Sequence, residues 1–204
     1  MTLREYIESD ILPRYESYDA AHRLYHIGEV IRRSAVLARD YDVDSEMVYT
    51  IAAYHDLGCC EGRETHHLTS ARMMREDVTL RQWFSEGQIE TMAQAVEDHR
   101  ASAKRPPRSV YGCIVAEADR QIDADTIVRR TVQYGLDNYP QYDRAGQLAR
   151  FKEHIAEKYA RGGYLKIWIP GGENDKKLKA FQEEIEKPGT LDEMFDYWYE
   201  KLTR

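Results

Sequence analysis

Ile27, Val30, Ile31, Ser34, Ala35 and Ala38 stand three or four residues apart, the spacing of one face of an α-helix. The same interval recurs down most of the chain, punctuated by residues that start or stop helices, and strand-type alternation is nearly absent. This restricts the 204 residues to an all-α fold. The spacing predicts a first short helix on Leu3, Ile7 and Ile11, stopped at Pro13. A second runs from about His26 to Asp40. Asp44 caps the next, whose apolar face includes Val48, Ile51 and Ala52 and which ends by Gly58. Thr65 opens another through Met74. Ser85 with Gln88 forms a capping-box pattern, and Ile89, Met92, Ala93 and Val96 carry that helix to His99. Beyond Pro106 and Pro107, a helix runs from about Ser109 to Asp119. Further helices are expected near 124–137 and 143–160, from Asn174 to about Lys187, and from a second capping box, Thr190 with Glu193. Leu165 to Ile169 is an apolar run too short to assign. The expected organisation is a helical bundle in residues 1–125 that holds the chemistry, with residues 126–204 as a C-terminal helical extension packed on the same domain.

A net charge of −7 gives the chain no bulk attraction to nucleic acid or to an anionic membrane, so neither is an expected partner. No apolar stretch has membrane length, and Met1 to Asp10 contains no signal-peptide core. Cys59, Cys60 and Cys113 are too few, and odd in number, for a disulfide framework. Cys59 and Cys60 are neighbours, with Cα atoms roughly 3.8 Å apart, closer than an unstrained disulfide permits. Free thiols in a reducing cytoplasm are the expectation.

The seven histidines carry the chemistry through their placement. His26 stands at a helix start, His55-Asp56 near the end of the next helix, and Asp119 at the end of a later one. Successive helix residues point about 100° apart, so His55 and Asp56 can both reach one ion lying between their directions. His26 and Asp119 complete a set of two imidazoles and two carboxylates that leaves positions for water. Mixed nitrogen and oxygen ligation of this kind suits Mn, Mg, Fe, Ni or Zn, and open positions mark a catalytic site.

The segments Tyr25-His26-Ile27, Ala52-Ala53-Tyr54-His55-Asp56-Leu57-Gly58 and Ala116-Glu117-Ala118-Asp119 resemble the HD-domain phosphohydrolase superfamily, named for its adjacent His-Asp pair. The resemblance covers roughly residues 20–125. It implies a helical core, a divalent metal on His26, His55, Asp56 and Asp119, and hydrolysis of a phosphoester on a nucleotide or other small substrate. In dinuclear members, two further histidines between the His-Asp pair and the last Asp hold a second metal, and the first Asp bridges. By order these correspond to His99 and to one of His66 and His67, with His67 preferred. Alternatively, His67 and His99 contact substrate phosphate or donate a proton to the leaving group. One or two ions per chain are therefore expected, with Asp56 orienting the attacking water.

Arg100, Lys104, Arg105 and Arg108 follow His99 in a loop without acidic residues, a plausible grip on phosphate in an otherwise acidic chain. Arg63 and Arg120 are weaker candidates for that role. His22 and Arg23 flank His26, with His22 read as structural, and His154 is read as a surface residue. The aromatic stretch Tyr134, Tyr139, Tyr142, Tyr159, Tyr164 and Trp168 could stack on a base, fill the core or make an oligomer contact. The alarmone-hydrolysing relatives carry a Glu-Asp pair, and the cyclic dinucleotide phosphodiesterases a lysine motif, where this chain has Cys59-Cys60. Neither subgroup fits. What remains resembles the small stand-alone HD proteins, with two rivals: a dinuclear iron oxygenase, and a non-catalytic metal- or ligand-binding module.

Overall fold

The structure is a computed structural model that describes residues 1–17, 24–100, 105–120 and 122–204. Every regular element among the described residues is helical. The chain divides into two compact units, Met1–Arg120 and Gln121–Arg204. No helix among the described residues is long and apolar enough to cross a membrane.

In the first unit, α1 (Leu3–Tyr6) opens on a capping box between Thr2 and Glu5. It passes into a π turn over Ile7–Ile11 and a 3₁₀ helix over Leu12–Ser17, so Pro13 does not stop the chain as expected. The helical run passes through Pro13 with a change of type, π before it and 3₁₀ after it, and Leu12 keeps helical dihedrals. Then come α2 (Leu24–Leu37), α3 (Ser45–Tyr54), α4 (His66–Glu76), α5 (Glu86–Asp98) and α6 (Val110–Asp119). Asp44 caps α3 by accepting from the Glu46 and Met47 N–H groups, and Ser85 with Gln88 forms the expected box on α5. Thr65 precedes α4, but its side chain caps nothing.

Helix α3 is the axis of this unit. Met47 through Tyr54 are all buried, although the spacing marked only one face, and α3 packs on α2, α5 and α6. A helix apolar on all sides belongs inside a core. Its C-terminal end is pinned by hydroxyls. Tyr15 donates to the Ala53 carbonyl at 2.8 Å, and Tyr54 donates to Asp77 Oδ2 at 2.5 Å. Tyr6 of α1 donates to the same Asp77 oxygen at 2.6 Å. Burial and Asp77 together push the Tyr54 hydroxyl pKa up, which keeps it a donor.

The second unit holds α7 (Ala124–Asn138), α8 (Arg144–Tyr159), α9 (Glu173–Ile185) and α10 (Thr190–Thr203). Phe151 and Phe195 meet across α8 and α10 with ring centroids 5.5 Å apart, and Tyr159 packs on Phe181 at 5.9 Å. Two expected starts shift here. Gly172 precedes α9, and Asn174 is buried in its first turn. Gly189 precedes α10 with φ at 86°, a value that suits glycine, so Thr190 is already helical and no capping box forms. Leu165 to Ile169 has no regular structure, and Leu165 and Ile169 are buried. Of the aromatic stretch, Tyr159 is core, while Tyr134, Tyr139 and Tyr142 form a chain of ring contacts under Arg150.

Replacing Asp77 by Ala strands a buried Tyr54 hydroxyl and frees Tyr6, at an expected cost of about 2–4 kcal/mol. Thermal unfolding should register this as a Tm lower by about 5–15 °C. Tyr6→Phe, which strands nothing, should cost no more than about 1.5 kcal/mol.

Candidate metal centre

The His-Asp pair sits where α3 gives out. His55 continues the helical turn with φ −53° and ψ −39°, while Asp56, at φ −107° and ψ 6°, leaves it for a 3₁₀ turn over Leu57–Glu61. Both side chains are buried, His55 fully. His55 Nδ1 lies 2.8 Å from the Ala52 carbonyl. A carbonyl oxygen only accepts, so Nδ1 carries a hydrogen and Nε2 is the nitrogen left to face an ion. His66 Nδ1 meets the Arg63 carbonyl at 2.7 Å and His99 Nδ1 the Val96 carbonyl at 2.5 Å. Three imidazoles are thus fixed in orientation, each by a carbonyl three residues back, and each turns Nε2 toward Asp56.

The two oxygens of Asp56 divide these nitrogens. Oδ2 lies 3.3 Å from His55 Nε2 and 3.6 Å from His26 Nε2. Oδ1 lies 3.3 Å from His66 Nε2 and 3.4 Å from His99 Nε2. Asp119 Oδ1 joins the first group, 3.1 Å from His26 Nε2 and 3.8 Å from His55 Nε2. His26, His55 and Asp119 therefore form one ligand group, and Asp56 and His66 form a second that also includes Cys59. Within each group the ligand atoms lie within 4.8 Å of one another.

These residues fit a cation. His66 Nε2 and His99 Nε2 approach to 3.1 Å beside Asp56 Oδ1, so one ion there would meet two nitrogens and a carboxylate oxygen at once. His55 Nε2 is buried and makes no hydrogen bond, an orphan that a bound ion would satisfy. Burial opposes charge at His55, but Asp56 and Asp119 outweigh it and hold the imidazole up at about 9. Burial likewise opposes charge on Asp56, yet His55 and His99 hold its carboxyl well below the carboxylate range. Asp119 is lowered in the same sense, its contact with His26 outweighing burial.

The structure brings together His26, His55, Asp56, Asp119 and His99, the five clearest candidates of the sequence. It replaces the preference for His67 by His66. His67 makes neither a hydrogen bond nor an ion pair among the described residues and stacks edge-on against His66, rings 5.6 Å apart. Burial and the neighbouring Arg100 charge hold its pKa down to about 4. The reason lies in helix phase. Ser70, one turn beyond His66, accepts from the Gly58 N–H at 2.8 Å, which sets the His66 side of α4 against the His-Asp turn.

Of the basic loop, Arg100 Nη1 donates to the Glu64 carbonyl at 2.6 Å, just ahead of α4, and Arg105 is exposed. Arg108 is taken up structurally, its guanidinium 2.9 Å from buried Asp98 and 2.6 Å from Glu97. Lys104, His22 and Arg23 lie outside the described residues. Arg63 is exposed, Arg120 is buried beside Glu117, and His154 lies on α8 in the second unit, half-buried against Tyr159. Cys59, close to Asp56 and His66, was missed as a site residue, because a thiol beside a His-Asp pair has no diagnostic spacing.

The profile of the HD domain matches residues 23–121, a span that contains every residue of this cluster. No protein of curated function matches the chain. A crystal structure described as a predicted HD superfamily hydrolase from an uncultured Thermotogales bacterium is similar at 19% identity and a TM-score of 0.48, covering 76% of this chain and 92% of that one.

Gly58 is the tightest point in this arrangement. A Cβ there would lie 2.4 Å from the His66 carbonyl oxygen and 2.6 Å from the Ser70 nitrogen, both backbone. Gly58→Ala should push the start of α4 away from Asp56 at a cost of about 1–3 kcal/mol. Thermal unfolding would give that cost, and metal analysis should show weaker binding at the His66 side.

Proposed function

We propose that the HD domain of residues 23–121 makes this chain a metal-dependent phosphohydrolase acting on a nucleotide or other small phosphoester. One divalent ion is assigned to His26, His55, Asp56 and Asp119, and a second to Asp56, His66 and His99. The observation that supports two positions is the division of the Asp56 oxygens, Oδ2 toward His26 and His55 and Oδ1 toward His66 and His99. With both positions filled, Asp56 would be the ligand common to the two ions. Divalent ions held there supply Lewis acidity, which lowers the pKa of water and offsets charge on a phosphoryl group.

The chain's own residues do the rest. The carbonyls of Ala52, Arg63 and Val96 occupy Nδ1 of three imidazoles, which leaves Nε2 as the atom each would offer to an ion. Arg100 spends one N–H on the Glu64 carbonyl and keeps others for phosphate oxygens beside His99. Lys104 and Arg105 belong to the same loop and are assigned the same role. His99, committed at both nitrogens, serves as a ligand rather than a proton donor. A His67 pKa near 4 leaves that side chain neutral at pH 7, which removes it from the acid role.

The test is a panel of nucleotides and phosphomonoesters offered to metal-reconstituted protein, with phosphate or pyrophosphate release as the readout. At least one should be cleaved, and a chelator should stop cleavage. Asp56→Ala and Asp119→Ala should each lose roughly 100-fold or more, since even the outer partners of metal ligands are worth about 10–100-fold. Arg100→Ala should raise KM and leave the metal content unchanged. Inert protein under every metal, combined with oxygen consumption when iron-loaded, would replace hydrolysis by the oxygenase reading.

The two ligand sets make separate predictions for stoichiometry. His66→Ala should lower the bound metal from about two per chain to about one, whereas His67→Ala should leave it unchanged. An unchanged count in His66→Ala would remove the second position.

A further inference from the structure

The two ligand groups around Asp56 differ in kind. The His26, His55 and Asp119 group offers nitrogen and oxygen alone, while the other places the Cys59 sulfur within 4.8 Å of the ligand atoms of Asp56 and His66. The local fold accounts for this. Cys59 N–H donates to the Asp56 carbonyl at 2.9 Å, closing the 3₁₀ turn so that residue 59 folds back over residue 56. The Gly58 N–H bonds Ser70, which brings the first turn of α4, and His66 with it, against that same turn. Cys60 is held apart, since its Sγ donates to the Leu57 carbonyl at 3.4 Å and the residue is exposed. Half-buried Cys113 lies on α6.

We infer that Cys59 is a thiolate ligand to the ion held by Asp56 and His66, so that the two metal positions of this chain have different preferences. A second observation points to a cation at that spot independently of the thiol: His66 Nε2 and His99 Nε2 converge to 3.1 Å, with Asp56 Oδ1 alongside at 3.3 and 3.4 Å. Ligation exchanges an S–H bond for a sulfur–metal bond and releases one proton to solvent, with no change of oxidation state. Thiolate is a soft donor. It selects zinc or ferrous iron over magnesium or manganese, whereas the nitrogen and oxygen set around Asp119 accepts the harder ions. The consequence is a site that holds two unlike metals, with the softer one on the Cys59 side. A thiolate ligand also makes that position sensitive to oxidants, since oxidation to a disulfide or a sulfur oxyacid removes the thiolate that binds the ion.

This inference rests on the two-ion reading proposed above, and one experiment separates the fates of the two. Protein stripped with a chelator is reloaded anaerobically with Co²⁺, and cobalt content and the near-ultraviolet spectrum are recorded together. The expected result is two cobalt ions per chain and a sulfur-to-cobalt charge-transfer band. That band should vanish in Cys59→Ser and persist in Cys60→Ser and Cys113→Ser. Zn²⁺ should also shield Cys59, and not Cys60, from alkylation by iodoacetamide when the peptides are mapped by mass. Two cobalt ions without the band would overturn the Cys59 assignment alone and leave the two-ion site standing. One cobalt without the band would overturn both. A band that survives in Cys59→Ser also overturns the assignment, and one that appears at a single cobalt and disappears in Cys59→Ser upholds the thiolate while removing the second ion.

Discussion

Imidazoles crowded around one buried carboxylate need a positive charge among them. His55, His66 and His99 turn their Nε2 atoms to Asp56, and His26 and Asp119 close the ring from the other side. A cation would meet that need, and without one Asp56 and Asp119 hold a proton on His55 instead, as its raised pKa shows. Much of the first unit holds these groups in place. Helix α3 is buried on every side so that its last turn can present His55 and Asp56 rigidly, and the carbonyls behind three of the imidazoles fix their orientation. The chemistry of the centre is therefore set as much by backbone oxygen as by the side chains that would touch an ion.

The helical architecture was legible because helix formation in this chain is governed by local signals. Asp44 and the Ser85–Gln88 box act within a turn of themselves, and both do what their residue types require. The starts at Asn174 and Thr190 shifted because glycines two and one residues earlier could take the capping place, and a glycine competing with a polar neighbour is not resolved by local preference. Pro13 shows the complementary case, since the chain absorbs the breaker by changing helix type from π to 3₁₀ around it.

In the site, His26, His55, Asp56, His99 and Asp119 could be named from sequence because each stands at the end of a predicted helix, where direction is constrained. His66 and His67 are adjacent on one helix, and both border its buried face. What separates them is a contact between residues twelve apart, Ser70 with Gly58, which no periodicity encodes. The closeness of Cys59 to His66 depends on the same contact. Arg108 is the opposite instance: a cation in a basic loop, it belongs to Asp98 and Glu97 and closes the loop rather than meeting a ligand.

The sharing of Asp77 by Tyr6 and Tyr54 ties the first helix to the metal centre. Tyr54 precedes His55 directly, so the hydroxyl that steadies it also steadies the first ligand, and the oxygen that accepts it is held from the other side by α1. Folding and ligation are then linked thermodynamically. An ion bound at 100 times its dissociation constant stabilises the liganded state by about 2.7 kcal/mol, and part of that gain reaches α1 through one carboxylate oxygen. The reciprocal also holds: fraying at the N-terminus is a drain on metal affinity. The first few residues, remote in sequence from every ligand, act as a thermodynamic lever on how tightly the ions are held.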